Sequence, residues 1–137
     1  MLAAMNTGHE GSLTTVHANS PEDALSRLET LASMSDLEVP FHAVQEQVNN
    51  AVDVIVQLDR GPDGSRRVSA VEALMSRRRE PYRSVRMHEF VPEPIGADRI
   101  IRGRHVPRGV PGDVAERLRL AGGPLPEPLS VFEAEVS

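Results

Sequence analysis

The segment from residue 5 to residue 21, MNTGHEGSLTTVHANSP, constrains the local fold more than any other part of the chain. Its Thr-Gly pair is typical of a helix end, because Gly8 readily takes the left-handed conformation of a C-cap. The β-branched run TTV predicts a short strand over residues 12–17 that ends on His17. Ser20 then suits the N-cap of a new helix. We therefore expect a strand-to-helix junction with a histidine at its bend.

Two amphipathic helices are expected after this junction. Pro21 fits the first helical position, and Asp23 can complete a capping box with Ser20. Helical spacing of apolar residues predicts a helix over residues 20–35 and a second helix that begins near Pro40. The inward faces would carry Ala24, Leu25, Leu28, Leu31 and Ala32 in the first helix, and Phe41, Val44, Val48 and Ala51 in the second.

The pattern then changes from helical to alternating. Residues 52–58 alternate in a way that is typical of a strand, with Val52, Val54, Val56 and Leu58 on one side. The sequence Gly-Pro-Asp-Gly at residues 61–64 is strong turn chemistry, and residues 67–74 return as a partner strand. Aromatic residues are only 3% of the chain, so its core must be built from Val, Leu, Ile and Ala, which suits an α/β fold with a parallel or mixed sheet packed by helices.

An arginine-rich stretch, residues 76–86, interrupts the pattern. It contains Arg77, Arg78, Arg79, Arg83 and Arg86. These side chains could contact RNA, anionic lipid or an acidic partner. A solvated charged linker is the favoured interpretation, because the run is short and Tyr82 is its one aromatic residue.

The last part of the chain predicts two more strands, over residues 87–91 and 99–106, and a short helix over residues 112–121. Val114, Leu118 and Ala121 would face inward in that helix. Gly122-Gly123 would end it. The proline-rich tail would be extended, with Phe132 as an anchor.

Composition excludes several classes of function. The net charge of −5 argues against a general nucleic-acid binder. The chain contains no cysteine, which rules out disulfides and thiolate metal sites. All 15 basic residues are arginine. A P-loop needs its lysine to reach the β- and γ-phosphates, so this chain cannot contain one.

His17 is the candidate functional residue. A histidine just before a helix N-terminus can reach a phosphate that also meets the helix dipole and free backbone N–H groups. A zinc-protease pattern beginning at His9-Glu10 fails, because its second histidine would have to replace Leu13. A metal site of His9, Glu10 and His17 has no support from spacing, and a serine hydrolase lacks its G-x-S-x-G elbow.

The motif TGHEGSLTTVHANSP resembles the histidine box of the type II/type IV secretion ATPases, most closely the CpaF-like branch that powers tight-adherence (Flp) pili. The resemblance continues through SPEDALSRLETL, HAVQEQVNNAVDVIVQLDR and DGSRRVSAVEAL to the carboxy-terminal segment that ends near Phe132. It departs at Gln45, where the family usually has arginine, and at residues 76–88, where relatives are less basic.

The resemblance implies the carboxy-terminal part of a RecA-like P-loop NTPase domain with an added β-hairpin and a short terminal helix. Residues 1–76 would be the second half of the ATPase core, with the histidine box, two helices and a hairpin. Residues 77–86 would be an arginine-rich connector. Residues 87–137 would form the carboxy-terminal hairpin-helix module.

The resemblance also assigns roles to residues. His17 would sense the γ-phosphate and couple its loss to motion of the subunit, and Thr15 would supply a nearby hydroxyl. Gly8 and His9 would close the helix after the Walker B strand and be structural. No metal ligand is implied in this chain. The family's arginine fingers lie upstream of these motifs, so that role is not transferred to residues 76–86.

The family hydrolyses ATP with Mg²⁺ in a homo-hexameric ring, and the ring drives pilin assembly or secretion. The implied partners are full-length ATPase subunits and inner-membrane platform proteins, without nucleic acid. The implied location is cytoplasmic, peripheral to the inner face of the cytoplasmic membrane. Walker A and Walker B are absent from these residues, so we expect a carboxy-terminal fragment that is inactive alone and binds no cofactor. The alternative is a non-enzymatic modulator that docks on a full-length secretion ATPase.

Overall fold

A computed structural model describes residues 11–34, 40–122 and 131–132 of the chain. The elements in these residues are α1 (Pro21–Ser33), α2 (Phe41–Ala51), β1 (Val54–Arg60), β2 (Arg66–Leu74), β3 (Ser84–Pro92), β4 (Gly103–Pro107), β5 (Val110–Pro111), α3 (Gly112–Leu120) and β6 (Val131–Phe132). The predicted combination of helices and a sheet is confirmed, but the four-stranded sheet is antiparallel rather than parallel or mixed. The RecA-like arrangement stays a prediction.

Four strands form one sheet in the order β1-β2-β3-β4, so each strand pairs with the next one along the chain. The loop between β1 and β2 has five residues, which requires an antiparallel pair. β3 and β4 are also antiparallel, with Phe90 opposite His105. Both predicted hairpins are therefore confirmed. A second, two-stranded sheet pairs β5 and β6 in parallel, with Val110 opposite Val131.

The chain divides into two compact units. Met1–Ile55 and Leu74–Ser84 form the first, which contains α1 and α2 and is called the helical unit. Val56–Ala73 and Val85–Ser137 form the second, which contains most of the four-stranded sheet and α3 and is called the sheet unit. The boundaries after residues 76 and 86, inferred from the family, stay a prediction.

The helical unit has an aliphatic core. Leu25 and Leu28 of α1 are buried together with Val48 and Ala51 of α2, and Leu74 completes the cluster. Each helix contributes residues three apart, which lie on one helix face. Burial of each large aliphatic side chain contributes about 1.5–3 kcal/mol.

Four residues predicted to face inward are exposed: Leu31, Phe41, Leu118 and Ala121. Each lies in the first or last turn of its helix or just after it. Periodicity assigns a residue to a face, but it does not show how far along the helix the covering element extends.

The predicted strand over residues 12–17 is wrong. These residues adopt neither helix nor strand, and Leu13 is 98% exposed. A strand exists only where a neighbouring strand supplies hydrogen-bond partners. In the described part of the chain, no strand pairs with this segment. The β-branched run TTV therefore has the propensity of a strand without the partner.

The turn between β1 and β2 has the conformation that its Gly-Pro-Asp-Gly sequence predicts. The N–H of Gly61 donates to the Ser65 carbonyl at 2.8 Å, and Gly64 adopts a φ of +80°, which favours glycine. The Asp63 carboxylate accepts hydrogen bonds from the Ser65 hydroxyl at 2.5 Å and from the N–H of Ile101 at 2.9 Å. The Arg67 guanidinium lies 3.4 Å from it. We call Asp63, Ser65, Arg67 and Ile101 the Asp63 cluster.

Hydrogen bonds lower the pKa of Asp63 to about 2, with the Ser65 hydroxyl as the largest cause and the Ile101 N–H next. Arg67 also lies over the Phe90 ring, 4.6 Å from its centroid. The cluster thus joins the β1–β2 turn to the segment before β4 and to β3.

Further along the sheet unit, the buried Glu72 accepts two hydrogen bonds from Arg86, at 2.7 and 3.0 Å. Arg108 pairs with Glu89. Among the described residues, α3 buries Val114 and Ala115. The Phe132 backbone pairs with Pro111, while its predicted anchoring side chain, like Gly123, lies outside what the structure describes. None of the described helices has the length and hydropathy of a membrane-crossing helix.

Candidate functional site

The start of α1 is defined by the two residues Ser20 and Pro21. Ser20 is extended, with φ −150° and ψ 166°, and its hydroxyl oxygen accepts a hydrogen bond from the N–H of Asp23 at 3.1 Å. Pro21 occupies the first helical position and has no N–H to satisfy. The predicted cap is confirmed. The positive end of the helix dipole consequently points toward residues 17–19.

An open groove of about 520 Å³ extends along one side of α1, from His17 before the helix to Met34 at its C-cap. Its lining includes residues from the segment before α1 and from one side of α1: His17, Asn19, Asp23, Arg27, Thr30 and Met34. The His17 side chain is exposed. Its imidazole is therefore accessible to a ligand that enters the groove.

The structure separates the predicted site residues. His17 lines the groove, whereas Thr15 is exposed and is not among the groove residues. Gly8 and His9 lie outside the described residues, so their predicted structural role stays a prediction. The roles of His17 in γ-phosphate sensing and of Thr15 as a nearby hydroxyl also stay predictions.

Arg27 is a groove residue that motif reasoning missed. It lies six residues after Pro21, which is about 9 Å along the helix axis. Helical side chains lean toward the N-terminus, so an arginine side chain at this position is long enough to reach back toward the first turn. Asp23 and Arg27 are one turn apart and Thr30 follows on the same side. This polar stripe opposite the apolar face could have been found from helical periodicity.

These groups favour an anionic ligand that carries a phosphate. An imidazole and a guanidinium can both donate hydrogen bonds to phosphate oxygens, and a helix N-terminus favours negative charge. The Asp23 carboxylate makes the groove mixed in charge rather than uniformly basic. In the described ranges, no group of three or more histidine and carboxylate side chains is arranged to hold a metal ion.

Beneath the opposite face of α1, Tyr82 packs against the core of the helical unit. Burial raises the pKa of its hydroxyl well above the usual range, and the nearby Glu29 carboxylate raises it further. The hydroxyl therefore stays protonated at neutral pH. It is a structural group rather than a candidate acid or base.

Comparison with known proteins agrees with the motif. The profile of the family described as type II/IV secretion system protein matches residues 1–92. A putative conjugal transfer protein of Mycobacterium tuberculosis is 39% identical over 74 residues, which are 54% of this chain and 20% of that protein. The conjugal transfer protein TrbB of Rhizobium radiobacter is 39% identical over 84 residues, 61% of this chain and 24% of that protein.

A probable conjugal transfer protein TrbB of Sinorhizobium fredii is 41% identical over 66 residues, which are 48% of this chain and 19% of that protein. The chain thus spans about a fifth to a quarter of the length of the relatives it matches. The family profile covers the histidine-box motif, both helices of the helical unit and the strands β1 to β3. This chain belongs to the type II/IV secretion system protein family.

Proposed function

We propose that this chain is the carboxy-terminal part of a motor ATPase of the CpaF-like branch, with a RecA-like core, and that His17 is its γ-phosphate sensor. In this proposal the intact motor is a hexameric ring that hydrolyses ATP with Mg²⁺ and drives pilin assembly or secretion. The relatives named for conjugal transfer add conjugation to the systems that the motor could serve.

The observation that carries the proposal is the position of His17. It lies three residues before the N-cap Ser20, it is exposed, and it lines an open groove with Arg27. A phosphate in this groove would meet an imidazole, a guanidinium and the positive end of α1. A sensor must respond to the presence of a γ-phosphate. The imidazole, the guanidinium and the helix N-terminus are all groups that can bind the negative charge of a phosphate.

The chain supplies only part of the catalytic apparatus. Phosphoryl transfer in P-loop ATPases uses a lysine on the β- and γ-phosphates and an acid that holds Mg²⁺. The 137 residues contain no lysine. The proposal therefore assigns nucleotide binding and metal binding to groups outside this chain, in a motor placed at the inner face of the cytoplasmic membrane beside platform proteins. We expect no ATP hydrolysis by the isolated chain.

The test is a chimera that joins the upstream part of a CpaF-like ATPase to this chain. Replacement of His17 by alanine should lower kcat on the order of 100-fold, because the contact forms in the reacting complex. Nucleotide affinity should stay close to that of the parent chimera. His42→Ala is the matched control, since His42 is an exposed histidine on α2. An unchanged kcat in His17→Ala would reduce His17 to a structural residue.

The exposed apolar side of β1 favours a second candidate function. Val54, Val56 and Leu58 are 44%, 51% and 66% exposed, and β1 is an edge strand of its sheet. Edge strands with apolar side chains can pair with another chain. The chain would then be a modulator that docks on a full-length secretion ATPase. Addition of the chain to such an ATPase should change its hydrolysis rate, and Val56→Lys should abolish that change.

A further inference from the structure

Two histidines meet on one face of the β3–β4 hairpin in the sheet unit. Phe90 of β3 lies opposite His105 of β4, and His88 lies opposite Pro107. Successive residues of a strand alternate between faces, so His88, two residues before Phe90, shares a face with His105. The two histidines are therefore diagonal neighbours across the antiparallel pair, at a distance that long side chains can bridge.

The two imidazoles are in direct contact. Nε2 of His88 lies 3.0 Å from Nδ1 of His105. The ring planes are 18° from parallel, and the ring centroids lie 5.1 Å apart. The Phe90 ring also packs against His105, with 5.2 Å between the centroids. His105 is exposed and His88 is half-buried, so the pair is held in place and is also accessible from solvent.

The contact between the two nitrogens can hold either a proton or a metal ion. A neutral imidazole has one N–H and one free lone pair, so in a hydrogen bond one of the two nitrogens donates and the other accepts. Both nitrogens present lone pairs to a shared cation when each ring carries its proton on its other nitrogen. That change moves one proton within one ring, and both rings stay neutral.

The separation of the two nitrogens discriminates among metal ions. Bonds from imidazole nitrogen to a metal are about 2.0–2.1 Å long, so nitrogens 3.0 Å apart subtend an angle of roughly 90–100° at a shared ion. This angle fits neighbouring positions of a square-planar or tetragonal ion better than it fits tetrahedral Zn²⁺. Such geometry with nitrogen ligands is typical of Cu²⁺ and Ni²⁺, and Cu²⁺ binds more tightly. Each ring must turn until its lone pair points at the ion, and the torsion that turns a histidine ring is soft.

The charges around the hairpin permit a cation. Three arginines of the sheet unit lie in or beside β2, β3 and β4, and each is matched by a carboxylate. The ion pairs are Arg67 with Asp63, Arg86 with Glu72 and Arg108 with Glu89. Arg104 lies opposite Val91, which places it on the other face of the hairpin. A cation between the imidazoles therefore meets no unbalanced positive charge from these four side chains.

We propose that His88 and His105 form a two-histidine site for a divalent late transition-metal ion, with Cu²⁺ bound more tightly than Ni²⁺. In the described part of the chain no group of three histidine and carboxylate side chains is placed to hold a metal, so water fills the remaining positions. Each strand supplies one ligand, and a bound ion links β3 to β4. The ion binds the folded hairpin, in which the two nitrogens are together, and thereby stabilises it.

The test is isothermal titration of Cu²⁺ into the purified 137-residue chain at neutral pH, in a buffer that does not bind metal ions. The affinity of one copper ion should fall at least about tenfold in both His88→Gln and His105→Gln, because even the hydrogen-bond partners of metal ligands are worth about 10–100-fold. His42→Gln is the matched control and should keep the parent affinity, because His42 is an exposed histidine on α2 of the helical unit. Mg²⁺ prefers oxygen ligands and should not compete with Cu²⁺.

Electron paramagnetic resonance of the unaltered chain with one equivalent of Cu²⁺ gives a second readout, which needs no variant. The spectrum should show two equatorial imidazole nitrogens, and Cu²⁺ should raise the thermal midpoint of the unaltered chain and of His42→Gln but not of His88→Gln. Absence of copper binding by the unaltered chain would overturn the proposal. Equal affinities in the three variants would also overturn it, as would a spectrum without two imidazole nitrogens. The experiment contains no nucleotide and leaves His17 in place, so its outcome is independent of the role of His17.

Discussion

Asn49 with Ser76 in the helical unit, called the Asn49 clamp, and the Asp63 cluster in the sheet unit both hold a loop in place, but by different physical means. Each fixes a loop through one side chain that collects several hydrogen bonds. Asn49 is a neutral amide at 1% exposure, with both its Oδ1 and its Nδ2 bonded. Asp63 is an ionised carboxylate whose strongest partner is a hydroxyl.

A neutral amide and an ionised carboxylate respond differently to pH. A neutral amide has no charge to titrate, and a buried polar group costs free energy only when it loses its partners. A carboxylate whose pKa is lowered by folding stabilises the folded state only while it is ionised. The contribution of Asn49 to holding residues 75–83 should therefore not depend on pH, whereas the contribution of Asp63 to the β1–β2 turn should.

Loss of the Asn49 amide should have the largest effect. Asn49→Ala removes three hydrogen bonds and leaves the carbonyls of Arg78 and Glu80 without their donor. We expect the free energy of unfolding to fall by about 2–4 kcal/mol. Urea denaturation at several pH values measures this, and the loss should be the same at each pH. Asn50→Ala, at an exposed position of the same helix, should change stability by less than about 0.5 kcal/mol.

Disruption of a packing contact in the sheet unit should have the second-largest effect on stability. A Cβ on Gly103 would lie 2.5 Å from the Val91 carbonyl oxygen and 2.9 Å from Cε2 of the Phe90 ring. Gly103→Ala should therefore cost about 1–3 kcal/mol through displacement of β3 from β4. Thermal unfolding measures the loss, and Gly96→Ala is the control because a Cβ there approaches only the Asp98 carboxylate, at 3.3 Å. Equal stability of both variants would mean that the Phe90–Gly103 contact does not restrain the hairpin.

The smallest effect should come from Asp63, and it should depend on pH. The folded pKa of Asp63 is about 2, below its ordinary value of 3.8. Its contribution is therefore fully present above about pH 4 and is lost as the pH falls toward 2. Asp63→Asn should destabilise the protein at neutral pH, and the difference from the unaltered chain should shrink on acidification. Asp59→Asn, at an exposed position of β1, is the matched control.

Local chemistry predicted the features that depend on adjacent residues. Ser20 and Pro21 define the start of α1, and the turn residues 61–64 define the first hairpin, because each motif satisfies its own backbone groups. The predicted strand at residues 12–17 failed because pairing depends on a partner that sequence propensity does not supply.

Long-range polar contacts were beyond sequence reasoning for a different reason. Ser76 lies 27 residues from Asn49, and Ile101 lies 38 residues from Asp63. No periodicity links such pairs, so the interpretation of residues 76–86 as a solvated linker missed the contacts made by Arg77, Arg79 and Arg86. The residues of the groove were partly predictable from the sequence. His17 was predicted from its motif, and Arg27 could have been predicted from helical spacing.

A γ-phosphate sensor at His17, as we propose, would donate a hydrogen bond from its imidazole to the transferred phosphate. Single-turnover hydrolysis of ATP by the chimera tests it most directly, because the measured rate excludes product release. We expect His17→Ala to slow the chemical step on the order of 100-fold and His17→Gln, which keeps an N–H donor, to recover part of the rate. Equal single-turnover rates for the parent, His17→Ala and the His42→Ala control would contradict it.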